Sequence, residues 1–339
     1  MPKPAAISFA VFAALLVLVA VLQLGTPFLA ALFCYLALTK LAFWGRKWLA
    51  VTLFLILVAG VFVGFVFFFK RALVVLPEIV ETAIPIVVRF AAQHGIELPF
   101  TDVDSLRAVA LDSVRDAMGQ LGNYVKVATK EFVFLLIGIV VAIGVFLNPD
   151  FETKRRRGDG ESNVYSFYTA RIKERFASFY RSFANVMGAQ IIISAVNATL
   201  TSIFVCTAGL RYAGLVVILT FLCGLLPIVG NLISNSIIIG IAFTMSPQLA
   251  GYAFLFLIVI HKLEYFLNSR IIGGRIENPM WLMLLALIIG ERIMGIAGLV
   301  LAPVILSFLK IEMKQIPLAP AEPLPQRRSS PAPRQPVEV

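Results

Sequence analysis

Long, uninterrupted blocks of apolar residues decide what this chain can be. A helix needs about 20 apolar residues to cross roughly 30 Å of hydrocarbon. Blocks that meet this test fall near residues 7–24, 27–43, 49–69, 132–148, 189–208, 214–243, 249–267 and 281–309. The chain is 60% hydrophobic and only 14% charged, whereas a soluble domain of this length would spread its apolar residues along amphipathic faces. The expected fold is therefore all-α, a polytopic integral membrane protein of about eight transmembrane helices. The blocks 214–243 and 281–309 are too long for one straight span and both contain Gly and Pro, so they are expected to be broken or re-entrant.

The pattern between the blocks sets the organisation. Residues 1–69 hold the first three spans, 70–131 an external amphipathic helical insert, and 132–148 the fourth span. A basic cytoplasmic linker with an interfacial helix occupies 149–187, a C-terminal transport core 188–314, and a proline-rich tail 315–339 that has too few apolar residues to fold. A signal peptide is a poor account of residues 1–25, because Gly25, Thr26 and Pro27 turn directly into the second block, and the two blocks read as a tight hairpin. In the insert, Pro77 is placed to start a helix that runs to about Gln93, and Leu106, Ala110, Val114, Ala117, Leu121 and Tyr124 then recur at helical spacing. In the linker, Ile172, Phe176, Phe179, Phe183 and Met187 share one face, with Arg171, Arg175, Ser178 and Ser182 on another. That is the arrangement of a helix in the headgroup interface, feeding straight into the fifth span.

Charge gives orientation and excludes other classes. Lys40, Arg46 and Lys47, the run Lys154 to Arg157, and Lys310 with Lys314 fall on one side if the crossings number eight, so both termini should be cytoplasmic in a bacterial inner membrane. The net charge of +10 is then a topology signal, with lipid headgroups as the partner. Basic residues scattered along span ends do not make a nucleic-acid surface. Cys34, Cys206 and Cys223 sit inside spans with no second ligand at metal spacing, which argues against a disulfide scaffold and structural zinc. The chain has no GxxxxGK[ST] phosphate loop, no HExxH and no supportable Ser–His–Asp arrangement, so it reads as a non-enzyme without a cofactor. Gly158 to Glu161 reads as a charged turn.

Function is expected where polar groups interrupt apolar helices, because ionisable groups at membrane depth are costly and mark transport paths or buried pairs. Pro227 lacks an N–H and Gly230 weakens the helix, so 214–243 should break there, with freed backbone groups met by Asn231, Ser234, Asn235 or water. Glu264 and Asn268 are four apart and share a helical face, with His261 three residues before Glu264 on nearly the same face. Glu264 either pairs with Lys262, Arg270 or Arg275 near the interface or faces a path on which it exchanges protons. Glu291 and Arg292 interrupt the last block side by side, pointing about 100° apart on a helix, so each needs another partner or a place at the apex of a hairpin. A hairpin or a break near Gly290 is the favoured reading.

Three signals in order resemble a known family. Gly224, Pro227, Gly230 and Asn231 look like the PxxG break of the autoinducer-2 exporter family of membrane transporters. Leu263, Glu264, Asn268, Ser269, Arg270 and Gly273, followed by Asn278-Pro279 and by Gly290, Gly295, Gly298 and Pro303, are similar to its C-terminal signature. Relatives often have Pro where this chain has Asn231. The resemblance implies secondary transport or export of a small polar solute, or sodium/proton antiport of a monovalent cation, by a homo-oligomer such as a pentamer. The transport-path candidates from the residues themselves are Pro227, Gly230, Asn231, His261, Glu264, Asn268, Glu291 and Arg292. An oligomeric membrane scaffold whose buried charges are structural is the alternative from a different class.

Overall fold

The computed structural model describes residues 3–93, 95, 121–148, 164–227, 229–271 and 279–314. Within them, nine α-helices follow one another: α1 (Lys3–Val21), α2 (Gly25–Leu41), α3 (Lys47–Gln93), α4 (Leu121–Leu147), α5 (Val164–Thr207), α6 (Ala213–Gly224), α7 (Val229–Met245), α8 (Pro247–Ile271) and α9 (Met280–Lys314). No strand occurs among the described residues. A membrane favours this, since a helix satisfies its own backbone where no water can. The apolar stripe of 106–120, the turn at Gly158 to Glu161 and the tail beyond Lys314 lie outside the described residues.

The third block does not end where its apolar run does. α3 is a single helix of 47 residues, about 70 Å at 1.5 Å per residue, and it continues through Pro77, where a new helix was expected to start. Pro77 and Pro85 both lie inside the helix, each without an N–H to donate to the preceding turn. Beyond Pro85 the Arg89 side chain donates to the Pro85 carbonyl at 3.2 Å. The interfacial and spanning parts of α5 are likewise one helix, of 44 residues.

Four helices are long and apolar enough to cross a membrane, or five if the bent pair α1–α2 counts as one, among the described residues. That is fewer than the eight blocks: blocks 7–24, 27–43 and 214–243 are taken up by chain reversals, and block 249–267, which forms α8, is not among the four. α1 and α2 meet at a 118° bend, made possible by Gln23 at φ 54°. Cys223 and Gly230 would stand about 10 Å apart along a straight helix. Instead a Cβ on Gly230 would overlap the Cys223 carbonyl oxygen, so α6 and α7 fold back on each other. In α9, Gly295 has the non-helical angles φ 57°, ψ −137°, and a Cβ on Gly298 would overlap the Gly290 carbonyl. Residues 281–309 thus form a hairpin, although Trp281–Lys314 passes the length test for one span. Its reversal falls at Gly295, five residues past the expected break, because only Gly adopts that backbone conformation readily.

Three apolar clusters show which ends lie together. At one end, Val205 and Leu210 pack with Val216 of α6, Ile238 and Ile241 of α7, and Ala250, Ala253 and Leu257 of α8. The start of α6 and the end of α7 are therefore level with the end of α5, where Phe204 also stacks on Phe256 with centroids 4.3 Å apart. At the other end, Phe12, Leu36, Phe179, Phe183, Val304 and Phe308 join α1, α2, α5 and the returning arm of α9. The third cluster, around Leu38, Phe54 and Phe146, ties α2 to α3 and α4. Lys47 donates to the Leu147 carbonyl at 3.1 Å, which puts the start of α3 beside the end of α4. This second end carries Lys47, Arg175 and Lys314 and is called here the basic end.

The α6–α7 hairpin thus enters from the end opposite the basic end, and the α9 hairpin from the basic end. Their apices approach each other: Leu226 and Met294 both pack against the cluster around Met187 and Val300. Met294 also meets Gly25 at the α1–α2 bend.

Because Gly298 lies against backbone, Gly298→Ala should lower the unfolding midpoint in detergent by several degrees, corresponding to about 1–3 kcal/mol of overpacking. Gly144→Ala, where an added Cβ meets nothing within 4 Å, should leave it unchanged. Thermal unfolding followed by circular dichroism checks both.

Candidate functional site

The α6–α7 reversal brings polar groups together at its apex. α6 ends at Gly224, and Leu225, Leu226 and Pro227 make the turn. The freed Gly224 carbonyl accepts a hydrogen bond from Gln190 Nε2 of α5 at 2.6 Å. Gly224 itself lies against Ser194, whose Oγ would be 2.5 Å from a Cβ there. A larger residue at this position would have to displace the Ser194 hydroxyl, because α5 and the apex approach closely there.

On the far side of the turn, Asn231 in the first turn of α7 is buried and its Nδ2 donates to the Glu264 carboxylate of α8. Glu264 is 7% exposed. The Asn197 side chain on α5 also approaches it, and His261 acts on it electrostatically. Ser234, one turn after Asn231, donates to the Asn231 carbonyl at 3.2 Å. Three helices thus converge on one carboxylate. Of the two sequence-based placements of Glu264, this is the interior one; its described partners are amides, and Lys262 is exposed.

The face of α5 that meets this cluster carries Gln190, Ser194, Asn197 and Thr201, all buried. They form a polar seam that sequence reasoning passed over. The signal was present, since spacings of four, three and four place them on one helical face within an otherwise apolar run. Ser194 Oγ and Asn197 Oδ1 are buried without a hydrogen-bond partner among the described residues. Buried polar atoms left unpaired cost about 1–3 kcal/mol each, and two of the four such atoms among the described residues lie on this seam, the others being Arg175 Nε and Ser307 Oγ.

The structure gathers part of the sequence-predicted set. Pro227, Gly230, Asn231 and Glu264 lie at the apex, with Gly230 packed against the Cys223 backbone. His261 is exposed, one turn from Glu264. Asn268 lies on α8 four residues beyond Glu264, and its side chain is outside the described residues. Glu291 and Arg292 are exposed on the outgoing arm of α9, shortly before the reversal, and do not join the cluster. No group of three or more potential metal ligands occurs among the described residues.

A helical multi-pass membrane protein with interrupted helices meeting at a buried polar cluster belongs, by architecture, with membrane transporters. The AI-2E family transporter pattern matches residues 7–317, and this chain belongs to that family. A protein of Bacillus subtilis (strain 168) named "Putative transport protein YdbI" is 26% identical over 238 residues, covering 66% of this chain and 65% of that protein. The chain therefore spans about 65% of the length of that curated relative.

Removing the Gln190 amide strands a buried carbonyl at the apex, so Gln190→Leu should cost about 1–3 kcal/mol. A lowered unfolding midpoint in detergent is the expected result, and an unchanged one would show that the apex does not need this bond.

Proposed function

We propose that this chain is a secondary transporter of the bacterial inner membrane that exports a small polar solute, with both termini cytoplasmic and with homo-oligomers as the working form. The observation that carries the reading is the Asn231–Glu264 contact, in which the broken α6–α7 segment meets a buried carboxylate. Broken helices at membrane depth are where transporters bind ions and polar solutes, because unwound backbone and polar side chains there replace hydration. Ionisable groups within membrane segments are kept for transport paths more often than for packing.

The seam narrows the class of cargo. Asn197 Oδ1 and the Glu264 carboxylate are acceptors, and Ser194 Oγ can accept. A cargo with hydroxyl or cationic donors fits this set better than an anion does. The same observation supports a second reading, sodium/proton antiport with Glu264 as the proton-exchanging group, since an oxygen-lined site suits a hard monovalent cation. Pro227, Gly230, Asn231, Glu264 and His261 belong to the path in both readings, with Asn268 next along the α8 face. Glu291 and Arg292 are assigned to its approach.

Purified protein in liposomes under imposed ion gradients tests this. Glu264→Gln should fold and oligomerise as the parent does, yet lose gradient-driven flux or its pH dependence. Flux with an unchanged pH profile would make the carboxylate structural. Sodium-dependent proton movement without solute flux would favour the antiport reading.

A further inference from the structure

One continuous face of α5 changes character along its length. From the basic end it reads Arg175, Phe179, Phe183, Met187, and then Gln190, Ser194, Asn197 and Thr201. The polar half is the seam. The apolar half, from Phe179 to Met187, is about 12 Å long, and other helices cover all of it. Phe179 lies 5.7 Å from Phe12 of α1 and 5.5 Å from Phe308 of α9, measured between ring centroids. Phe33 of α2 meets Phe183 edge-on at 5.0 Å. Next to Met187, Leu226 and Met294 from the two hairpin apices complete the layer.

Below this layer sits a buried ion pair. Arg175 Nη1 donates to the Glu312 carboxylate near the end of α9, with the Arg175 side chain 14% exposed and that of Glu312 2% exposed. The guanidinium also lies over the Phe9 ring of α1, 4.4 Å from its centroid. Three separate elements are therefore fastened at one point: the first helix, the helix that carries the seam, and the returning arm of the α9 hairpin. Sequence reasoning put Arg175, Ser178 and Ser182 on a headgroup-facing side of an interfacial helix. The structure buries the two serines and turns the arginine inward.

A buried ion pair is an expensive way to hold helices together. An apolar pair of similar volume usually does as well, whereas removing one partner leaves an uncompensated buried charge. The best-attested use of such a pair is to fix register or to act as a switch. The cluster at the opposite end, around Val205, Ile238 and Leu257 with Phe204 stacked on Phe256, is apolar throughout.

We infer that the Arg175–Glu312 pair is a gate latch: it holds the returning arm of α9 and its aromatic layer closed over the basic end of the polar seam, and its opening exposes the seam to that face of the membrane. The inference rests on the seam being part of the transport path, but it predicts accessibility, which is read without any cargo. Loss of flux and failure of the latch are thus separate results.

The test uses the full-length chain with Cys34, Cys206 and Cys223 replaced by Ser and a reporter cysteine introduced as Ser194→Cys. Its reaction rate with an impermeant thiol reagent is measured from each membrane face, in right-side-out and inverted vesicles. Glu312→Gln leaves the Arg175 charge unmatched in the closed arrangement. It should raise the rate from the Lys47 and Lys314 face about tenfold or more, leaving the rate from the other face unchanged. Glu312→Asp, which keeps the charge, should give a smaller rise, and the exchanged pair Arg175→Glu with Glu312→Arg should restore the slow rate. Rates unchanged in Glu312→Gln and Glu312→Asp would overturn the latch. So would equal increases from both faces, which would mean general loosening.

Discussion

In hydrocarbon there is no water to receive a backbone N–H or C=O that leaves a helix. Every chain reversal in the membrane therefore needs protein groups to complete it, and this constraint shapes the molecule. α6 can stop at Gly224 because Gln190 reaches across from α5 to its carbonyl. α7 can start near Gly230 because that glycine lets it lie on the Cys223 backbone. The α9 reversal relies on the same device, with Gly290 and Gly298 packed backbone to backbone below Gly295. Polar residues gather on α5 because the reversals place their unmet groups there, and the proposed transport site grows out of that requirement.

Much of the architecture was legible in the apolar blocks. A run of twenty apolar residues has few ways to fold, so the all-helical membrane class follows from the run lengths alone. Excess length with Gly and Pro also identified 214–243 and 281–309 as interrupted. Run length cannot give the direction of the chain after an interruption, which depends on glycines eight residues apart meeting in space. The reversal accordingly fell at Gly295, where a left-handed backbone is tolerated, and away from the charges at Glu291 and Arg292. Pro77 misled in the opposite direction: it was read as a helix start, and it lies inside α3.

The site was half legible. Asn231 and Glu264 stood out because each breaks an apolar run, and the fold brings them together across 33 residues of sequence. Gln190, Ser194, Asn197 and Thr201 were harder to read because hydroxyls and amides occur singly in many membrane helices, and their common face matters only once a broken helix lies against it. Arg175 and Glu312 were the least visible. They are 137 residues apart, both near charged span ends where exposure is the ordinary fate, and only the α9 hairpin brings the second to the first.

The opposed hairpins are the central claim, and sidedness tests them most directly. Single cysteines at Gly209 and Ser246 bracket the α6–α7 hairpin, and cysteines at Pro279 and Lys314 bracket α9, each in a background without native cysteines. An impermeant reagent should reach Gly209→Cys and Ser246→Cys from one face of the membrane and Pro279→Cys and Lys314→Cys from the other. Labelling of the two positions within either pair from opposite faces would mean that the segment between them crosses the membrane, and the convergence of the two apices on α5 would be wrong.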